Sequence, residues 1–191
     1  MSKFILHADK SMLENINRLV YTEENTSNDM EFSDLVSIKP EGVLPDPPEN
    51  TSDVTKSEIK QISELTQSLT AIQKNLVMLA DADPNLLFVE LLDSSVLPLP
   101  IEKFNKAWNI LEPVIRYLKN KFNRPRPEQL VTAFPRFYDD LSINVIETKT
   151  HHTPAYPSGH TAYAALMASM LSDIHPDQSS KFYEIANLAG H

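Results

Sequence analysis

The stretch TPAYPSGHTAYAALMASMLSDI, residues 153–174, decides the fold of this chain. Its second half is almost continuously apolar, and Ser158 stands where a helix N-cap belongs. The pattern therefore predicts a helix over about residues 158–174. The free backbone N–H groups and the positive dipole end of such a helix bind anions, and Gly159 lets a ligand approach the backbone closely. His160, on the first turn, is a candidate general acid for a leaving oxygen.

A second stretch, KNKFNRPRP at residues 119–127, concentrates positive charge. Lys119 is near the end of a predicted helix, whereas Arg124 and Arg126 lie in a segment that the adjacent prolines hold extended. The cations are therefore expected to converge from two backbone directions. Arginine offers a planar fork of donors and lysine a mobile point charge, and this combination suits a tetrahedral oxyanion. The simpler alternative is a solvated basic turn.

Together the two stretches carry a family resemblance. In chain order they match K-x6-R-P and P-S-G-H, which resemble the first two signature motifs of the phosphatidic acid phosphatase type 2 superfamily, with its acid phosphatases and vanadium haloperoxidases. The lysine fixes the register, because Arg124 would need a lysine at position 117, which is Tyr117. Arg126 places Lys119 correctly and is therefore the motif arginine.

The resemblance implies a role for each motif residue. In the family, the first-motif lysine and arginine and the second-motif serine and glycine bind phosphate, while the second-motif histidine protonates the leaving group. Those roles fall on Lys119, Arg126, Ser158, Gly159 and His160. The phosphatases of the family need no metal or other cofactor for this chemistry. The haloperoxidases hold vanadate in the same pocket.

The family's third motif, S-R-x5-H-x3-D, supplies a further arginine, the histidine that attacks phosphorus and the carboxylate that orients it. This sequence contains no such run. The segment KFYEIANLAGH at residues 181–191 resembles the helix that leads into the motif, so the chain is expected to be cut short. His191 has no partnered carboxylate in family register and is a poor substitute nucleophile. His151 and His152 could supply supporting hydrogen bonds, although a polar loop is the simpler interpretation.

The expected fold class is all-α, a helical bundle of the acid phosphatase and vanadium haloperoxidase type. The sequence has only three glycines and no β-alternating run, which favours helices over a mixed fold. Apolar spacing predicts further helices over residues 56–80, 84–92 and 101–122, the last kinked at Pro113, and one that begins near Asp177.

Residues 1–56 are predicted to form an N-terminal arm or linker, with a possible short helix in residues 1–20. Residues 21–56 are acidic, contain several prolines and show no apolar period. Because a polar arm of this kind rarely orders unless something holds it, a protein partner for the arm is a further hypothesis. Residues 57–191 are predicted to form the helical phosphatase-like or haloperoxidase-like domain.

The net charge of -9 is unevenly distributed, since residues 1–100 carry 7 basic and 17 acidic side chains and residues 101–191 carry 10 and 9. A local basic excess within residues 103–136 indicates a bounded anion site, whereas the acidic chain as a whole argues against nucleic acid. Cysteine is absent, which excludes a disulfide-stapled secreted fold. With neither a signal-peptide core nor a membrane-spanning stretch in view, the expected location is intracellular and soluble.

Three functions remain open from the sequence. The leading one is a phosphoric ester hydrolase that works through a phosphohistidine on a small phosphate ester of unspecified identity. The second is a vanadate-dependent haloperoxidase that uses the same pocket, and the third is a non-catalytic structural or interaction protein that retains the fold. A full-length protein is expected to be an enzyme, whereas the 191-residue chain is expected to be catalytically incomplete because it lacks the nucleophile motif.

Overall fold

The computed structural model describes residues 10–21, 44–92 and 98–189. Within these ranges every regular element is a helix, so the all-α prediction is confirmed at the level of fold class. The α-helices are α1 (Lys10–Arg18), α2 (Asp53–Ser68), α3 (Ala71–Ala82), α4 (Pro84–Leu91), α5 (Ile101–Phe122), α6 (Pro127–Ala133), α7 (Gly159–Ile174) and α8 (Ser179–Leu188). None of them is both long enough and apolar enough to cross a lipid bilayer.

Helix α7 lies in the larger apolar core, where it packs against α8, α5 and α4. Its inward face carries Ala164 and Ala168, both completely buried, next to the larger Met167 and Leu171. Alanine lets a neighbouring helix approach closely, while the larger side chains fill the space between helices. The surrounding helices contribute buried aromatic rings: Phe88, Phe104 and Phe182. This packing fixes α7, and with it the N-terminal turn that carries the second motif.

A second apolar cluster joins α1, α2, α6 and the short 3-10 helix Pro135–Tyr138. The hydroxyl of Tyr138 donates a hydrogen bond to the Asn50 carbonyl at 2.7 Å, and burial raises the Tyr138 pKa to about 12. The Asn50 amide in turn donates to the carbonyls of Ile16 and Leu19, at 2.9 and 3.1 Å. These bonds satisfy buried polar groups and attach α1 and the turn before α2 to the second cluster.

The predicted N-terminal arm falls partly within the described residues. A short helix, α1, is present where one was predicted, and α2 begins at Asp53, ahead of the predicted division after residue 56. Residues 1–9 and 22–43 lie outside the described residues, and so does the predicted partner contact of the arm. The division of the chain into an arm and a domain stays a prediction.

The prediction of one continuous helix over residues 56–80 is wrong, because the structure has α2 and α3 there. Leu69 and Thr70 have extended ψ angles of 123° and 163°, which end one helix and start the next. Thr70 and Gln73 form a capping box, in which each side chain accepts a hydrogen bond from the backbone N–H of the other. The capping box therefore starts a new helix here, even though the regular apolar spacing continues across the break.

The remaining helix predictions agree closely with the structure. Helix α4 ends one residue before the predicted Leu92, α5 has the predicted bounds with Pro113 inside it, and α7 begins directly after its predicted cap, Ser158. Near Asp177 the chain first forms the 3-10 turn Pro176–Gln178 and only then enters α8. The segment between α6 and α7, whose sequence has no clear periodic pattern, is mostly irregular and forms part of the site described next.

Candidate functional site

One cavity of about 920 Å³ brings the two motifs together. Its wall includes every residue to which the family resemblance assigns a role: Lys119, Arg126, Ser158, Gly159 and His160. These residues come from the end of α5, the start of α6 and the start of α7. Residues far apart in the sequence therefore meet on one concave surface, which is the arrangement that a shared oxyanion site requires.

Lys119 lies in the last turn of α5, and its ammonium group donates a hydrogen bond to the carbonyl of Pro154. This bond joins the first motif to the segment that leads into the second. Burial lowers the Lys119 pKa to about 8, and the nearby positive charge of Arg126 lowers it in the same direction. An anion in the cavity would stabilise the charged ammonium group and raise that pKa again.

Arg126 immediately precedes α6 and points toward the same segment. Its Nε donates to the Thr153 carbonyl at 2.7 Å, and one terminal nitrogen donates to the Thr150 carbonyl at 3.2 Å. Arg124 points elsewhere, because it donates to the Glu58 carboxylate on α2 at 2.9 Å and does not line the cavity. The side-chain directions therefore agree with the motif register, in which Arg126 is the partner of Lys119.

Ser158 is the N-cap of α7, as the sequence predicts. Its Oγ accepts hydrogen bonds from the Thr161 backbone N–H at 3.3 Å and from the Thr161 hydroxyl at 3.0 Å. The Ser158 hydroxyl hydrogen is then available for a ligand. A Cβ added at Gly159 would meet no atom within 4 Å, so the protein itself leaves open space beside this backbone. Open space next to the first N–H groups of a helix suits an anion.

His160 faces a carboxylate that sequence reasoning missed. Its Nε2 lies 3.8 Å from Oδ1 of Asp81 on α3, close enough for an ion pair when the imidazole is protonated but too long for a hydrogen bond. Burial lowers the His160 pKa, and Lys119 and Arg126 lower it further, whereas the negative charge of Asp81 raises it. The net direction is downward.

The Asp81 side chain is only 5% exposed and is held by the loop before α7. It accepts hydrogen bonds from the backbone N–H groups of Lys149 and Thr150, at 2.8 and 3.2 Å, and from the Thr150 hydroxyl. Burial raises the Asp81 pKa, but these hydrogen bonds and His160 outweigh it, so the pKa is lowered overall. No sequence motif connects Asp81 to the other site residues, since the contact depends on how an irregular loop folds back on α3.

The two loop histidines have different surroundings. His151 Nε2 lies 2.9 Å from a Glu128 carboxylate oxygen on α6, whereas His152 lines the cavity. Only His152 is therefore placed to support a ligand directly. His191 lies outside the described residues. In the part of the chain that the structure describes, no group of three or more acidic or histidine side chains could hold a metal ion.

The cavity extends along α5 from Lys119 toward Trp108, past Ile115 and the charged side chains of Glu112 and Arg116. At about 1.5 Å of rise per residue, Lys119 and Trp108 are separated by roughly 16 Å along the helix axis. The Trp108 ring packs edge-on against Tyr163 of α7, with ring centroids 5.0 Å apart. The end of α8, at Leu188 and Ala189, also lines the cavity. The site thus has a cationic end and a longer portion lined by both apolar and polar side chains.

Comparisons of the chain with protein-family models, curated proteins and solved structures give no match. The relation to the phosphatidic acid phosphatase type 2 superfamily is therefore a resemblance carried by Lys119, Arg126 and the P-S-G-H run at residues 157–160.

Proposed function

We propose that the cavity is the oxyanion site of a phosphoric ester hydrolase related to the phosphatidic acid phosphatase type 2 superfamily, on a helical bundle of that type. The supporting observation is that both motifs, from separate helices, line one cavity together. A solvated basic turn has no reason to face the N-terminus of a distant helix. The partner that fits this surface is a small molecule with a phosphate ester group.

Each residue has a chemical task in this proposal. Lys119 and Arg126 neutralise the charge on the phosphoryl oxygens, and the N-terminus of α7 at Ser158 and Gly159 provides further hydrogen-bond donors. His160, when protonated, gives a proton to the departing alcohol oxygen. In the family the attacking histidine belongs to the third motif, which these 191 residues do not contain. The chain is therefore expected to bind oxyanions without turning esters over.

The size of the cavity indicates the kind of ester. A volume of about 920 Å³ is far larger than a phosphate group and lies in the range of pockets that hold drug-sized ligands. The wall beyond the cationic end contains Trp108 and Ile115 from α5, together with the polar side chains of Asn105, Glu112 and Arg116. Aromatic and aliphatic side chains favour an organic group with apolar surface. We infer that the leaving alcohol is bulky and partly apolar.

A second candidate, a non-catalytic role, is favoured by a different observation. Lys119 and Arg126 donate hydrogen bonds to backbone carbonyls of Pro154, Thr153 and Thr150. In that role the cations fasten the loop before α7 and bind no ligand. The two candidates differ in one measurable respect, because only the phosphatase-like site must bind a free tetrahedral anion.

The test is calorimetric titration of vanadate and of inorganic phosphate into the 191-residue chain, with Lys119→Ala and Lys121→Ala variants. Both lysines lie in the last turn of α5, but only Lys119 lines the cavity. A charge-assisted hydrogen bond is worth about 1.5 to 3 kcal/mol, so Lys119→Ala should weaken binding about tenfold or more while Lys121→Ala leaves it unchanged. Absence of binding to the parent chain would favour the non-catalytic role.

Turnover separates binding from catalysis in the same samples. The parent chain should hydrolyse p-nitrophenyl phosphate negligibly, because the covalent route lacks its nucleophile. Substantial hydrolysis that His160→Ala abolishes would show that a residue within these 191 performs the attack, and the proposed division between binding and catalysis would then be wrong.

A further inference from the structure

Asp81 is the one carboxylate within ion-pair distance of His160 among the described residues, and it comes from a helix that carries neither motif. We propose that Asp81 is a positioning residue of this site, whose carboxylate favours the protonated form of the His160 imidazole that faces the bound oxyanion and fixes the loop that Arg126 contacts. The role of Asp81 in catalysis rests on the proposed function. The charge coupling between Asp81 and His160 does not, and it can be tested separately.

The surroundings of Asp81 favour a charge partner. Its side chain is almost fully buried, and a buried carboxylate is costly unless hydrogen bonds and an opposite charge compensate it. The loop supplies the hydrogen bonds, from Lys149 and Thr150, but those donors are neutral backbone and hydroxyl groups. Protonated His160 is the cation that faces Asp81, at 3.8 Å.

The surroundings of His160 show what the Asp81 carboxylate can do for this imidazole. Lys119 on α5 and Arg126 before α6 both disfavour a positive imidazole, as burial does. A general acid must keep its proton until the leaving oxygen takes it. The negative charge of Asp81 opposes the two cations and offsets part of the lowering of the His160 pKa that they and burial cause. Of the other charged side chains on the cavity wall, Glu112 and Arg116 are paired with each other on α5, while Asp83 caps α4.

Asp81 also connects His160 to Arg126 through one residue. Thr150 donates to the Asp81 carboxylate through its backbone N–H and its hydroxyl, while its carbonyl accepts a hydrogen bond from Arg126. A single buried carboxylate thus sets the position of the loop between the general acid and the anion-binding arginine. The competing interpretation is that Asp81 only anchors the loop and that its approach to His160 has no electrostatic consequence.

Histidine titration by NMR on the complete 191-residue chain, without ligand, distinguishes these interpretations. The His160 signals are assigned by their loss in His160→Gln. Asp81→Asn keeps an oxygen acceptor for the loop but removes the charge, and an opposite charge at this distance typically shifts a pKa by about one unit. We expect the His160 midpoint to fall by about that amount. Thr150→Val, which disturbs the same loop without changing any charge, should leave the midpoint in place.

An unchanged His160 midpoint in Asp81→Asn, or an equal shift in Thr150→Val, would overturn the proposal in favour of a simple loop anchor.

A measurement on the unmodified chain covers the case in which Asp81→Asn does not fold. If the two groups are coupled, the side-chain carboxyl carbon of Asp81 must show a step in its chemical shift at the His160 midpoint, because each charge reports the other. Absence of this step in the Asp81 chemical shift would overturn the proposal. Vanadate is added only after these titrations. Coupling in a chain that binds no vanadate would support the proposal about Asp81 and reject the proposed function. Vanadate binding without coupling would support the proposed function and reject the proposal about Asp81.

Discussion

Arg124 donates a hydrogen bond to the Glu58 carboxylate at 2.9 Å, which fastens the segment before α6 to α2. Its side chain is mostly buried, at 16% exposure, and the same guanidinium lies 3.4 Å from the Thr55 hydroxyl. Arg126, two positions later, reaches the cavity. The R-P-R-P run therefore contains one arginine bonded to α2 and one in the candidate site.

Substituting the two arginines should consequently affect different properties, folding stability for Arg124 and anion affinity for Arg126. Arg124→Ala should lower the free energy of unfolding by about 1 kcal/mol through the lost hydrogen bonds and leave vanadate affinity unchanged. Arg126→Ala should weaken vanadate binding about tenfold or more. Denaturant unfolding and calorimetry on the same preparations measure both quantities, with Glu58→Gln as a control that should resemble Arg124→Ala. Weaker anion binding in Arg124→Ala than in Arg126→Ala would contradict the motif register.

Anion binding should depend on pH through Lys119. Its pKa of about 8 means that the ammonium group is charged below that pH and loses its charge above it, so affinity should fall as pH rises through about 8. At saturating ligand the fall should come at higher pH, because the bound anion raises the lysine pKa. Sulfate is a suitable probe, since its own charge does not change in this range.

Lys119→Arg provides the matched comparison for this pH dependence. Arginine stays protonated at any pH that the fold tolerates, so the variant should still bind sulfate where the parent chain has lost most of its affinity. Titrations from pH 6 to pH 9.5 would show the difference directly. Parallel curves for the two proteins would mean that another group, and not Lys119, controls the loss.

The sequence allowed the local parts of this structure to be predicted. Helix bounds at Pro84, Phe122 and Ser158 follow from proline, capping and apolar spacing, and the structure reproduces them within about a residue, the usual uncertainty of a helix end. The motif residues could be found because each is specified by its chain neighbours. Whether they bind phosphate stays a prediction.

The features that could not be predicted correctly depend on contacts between residues distant in the sequence or on competing local signals. The break at Thr70 was missed because apolar spacing continues across it, although the Thr70 and Gln73 capping box was readable. Asp81 could not be found, since its role arises only when the irregular loop at residues 148–150 folds over the end of α3. Irregular loops have no periodicity from which such a contact could be predicted.

Two serine caps offer a comparison between helix stability and ligand binding. Ser52 caps α2 and Ser158 caps α7, and each Oγ accepts the backbone N–H of a threonine three residues later. Replacing either serine by alanine should cost about 1 kcal/mol of folding stability. Only Ser158→Ala should also weaken phosphate binding, because Ser158 lines the cavity and Ser52 does not. Equal effects of the two substitutions on phosphate affinity would reject a direct role for Ser158.

The last prediction concerns Gly159, where folding and binding should respond in opposite directions. A Cβ at this position meets no protein atom within 4 Å, so Gly159→Ala should leave the fold intact and keep the free energy of unfolding unchanged or raise it by up to about 1 kcal/mol. The same methyl group would occupy the space beside the first N–H groups of α7, where the oxyanion is proposed to lie. Excluding the anion from those donors should weaken vanadate binding about tenfold or more. Ser169→Ala, on an exposed position of the same helix, is the matched control that also favours the helical state without approaching the cavity. Thermal unfolding and vanadate calorimetry on both variants decide the matter. An alanine at position 159 that binds vanadate as tightly as the parent chain would show that the anion does not contact the start of α7, and the proposed oxyanion site would lose its helix N-terminus.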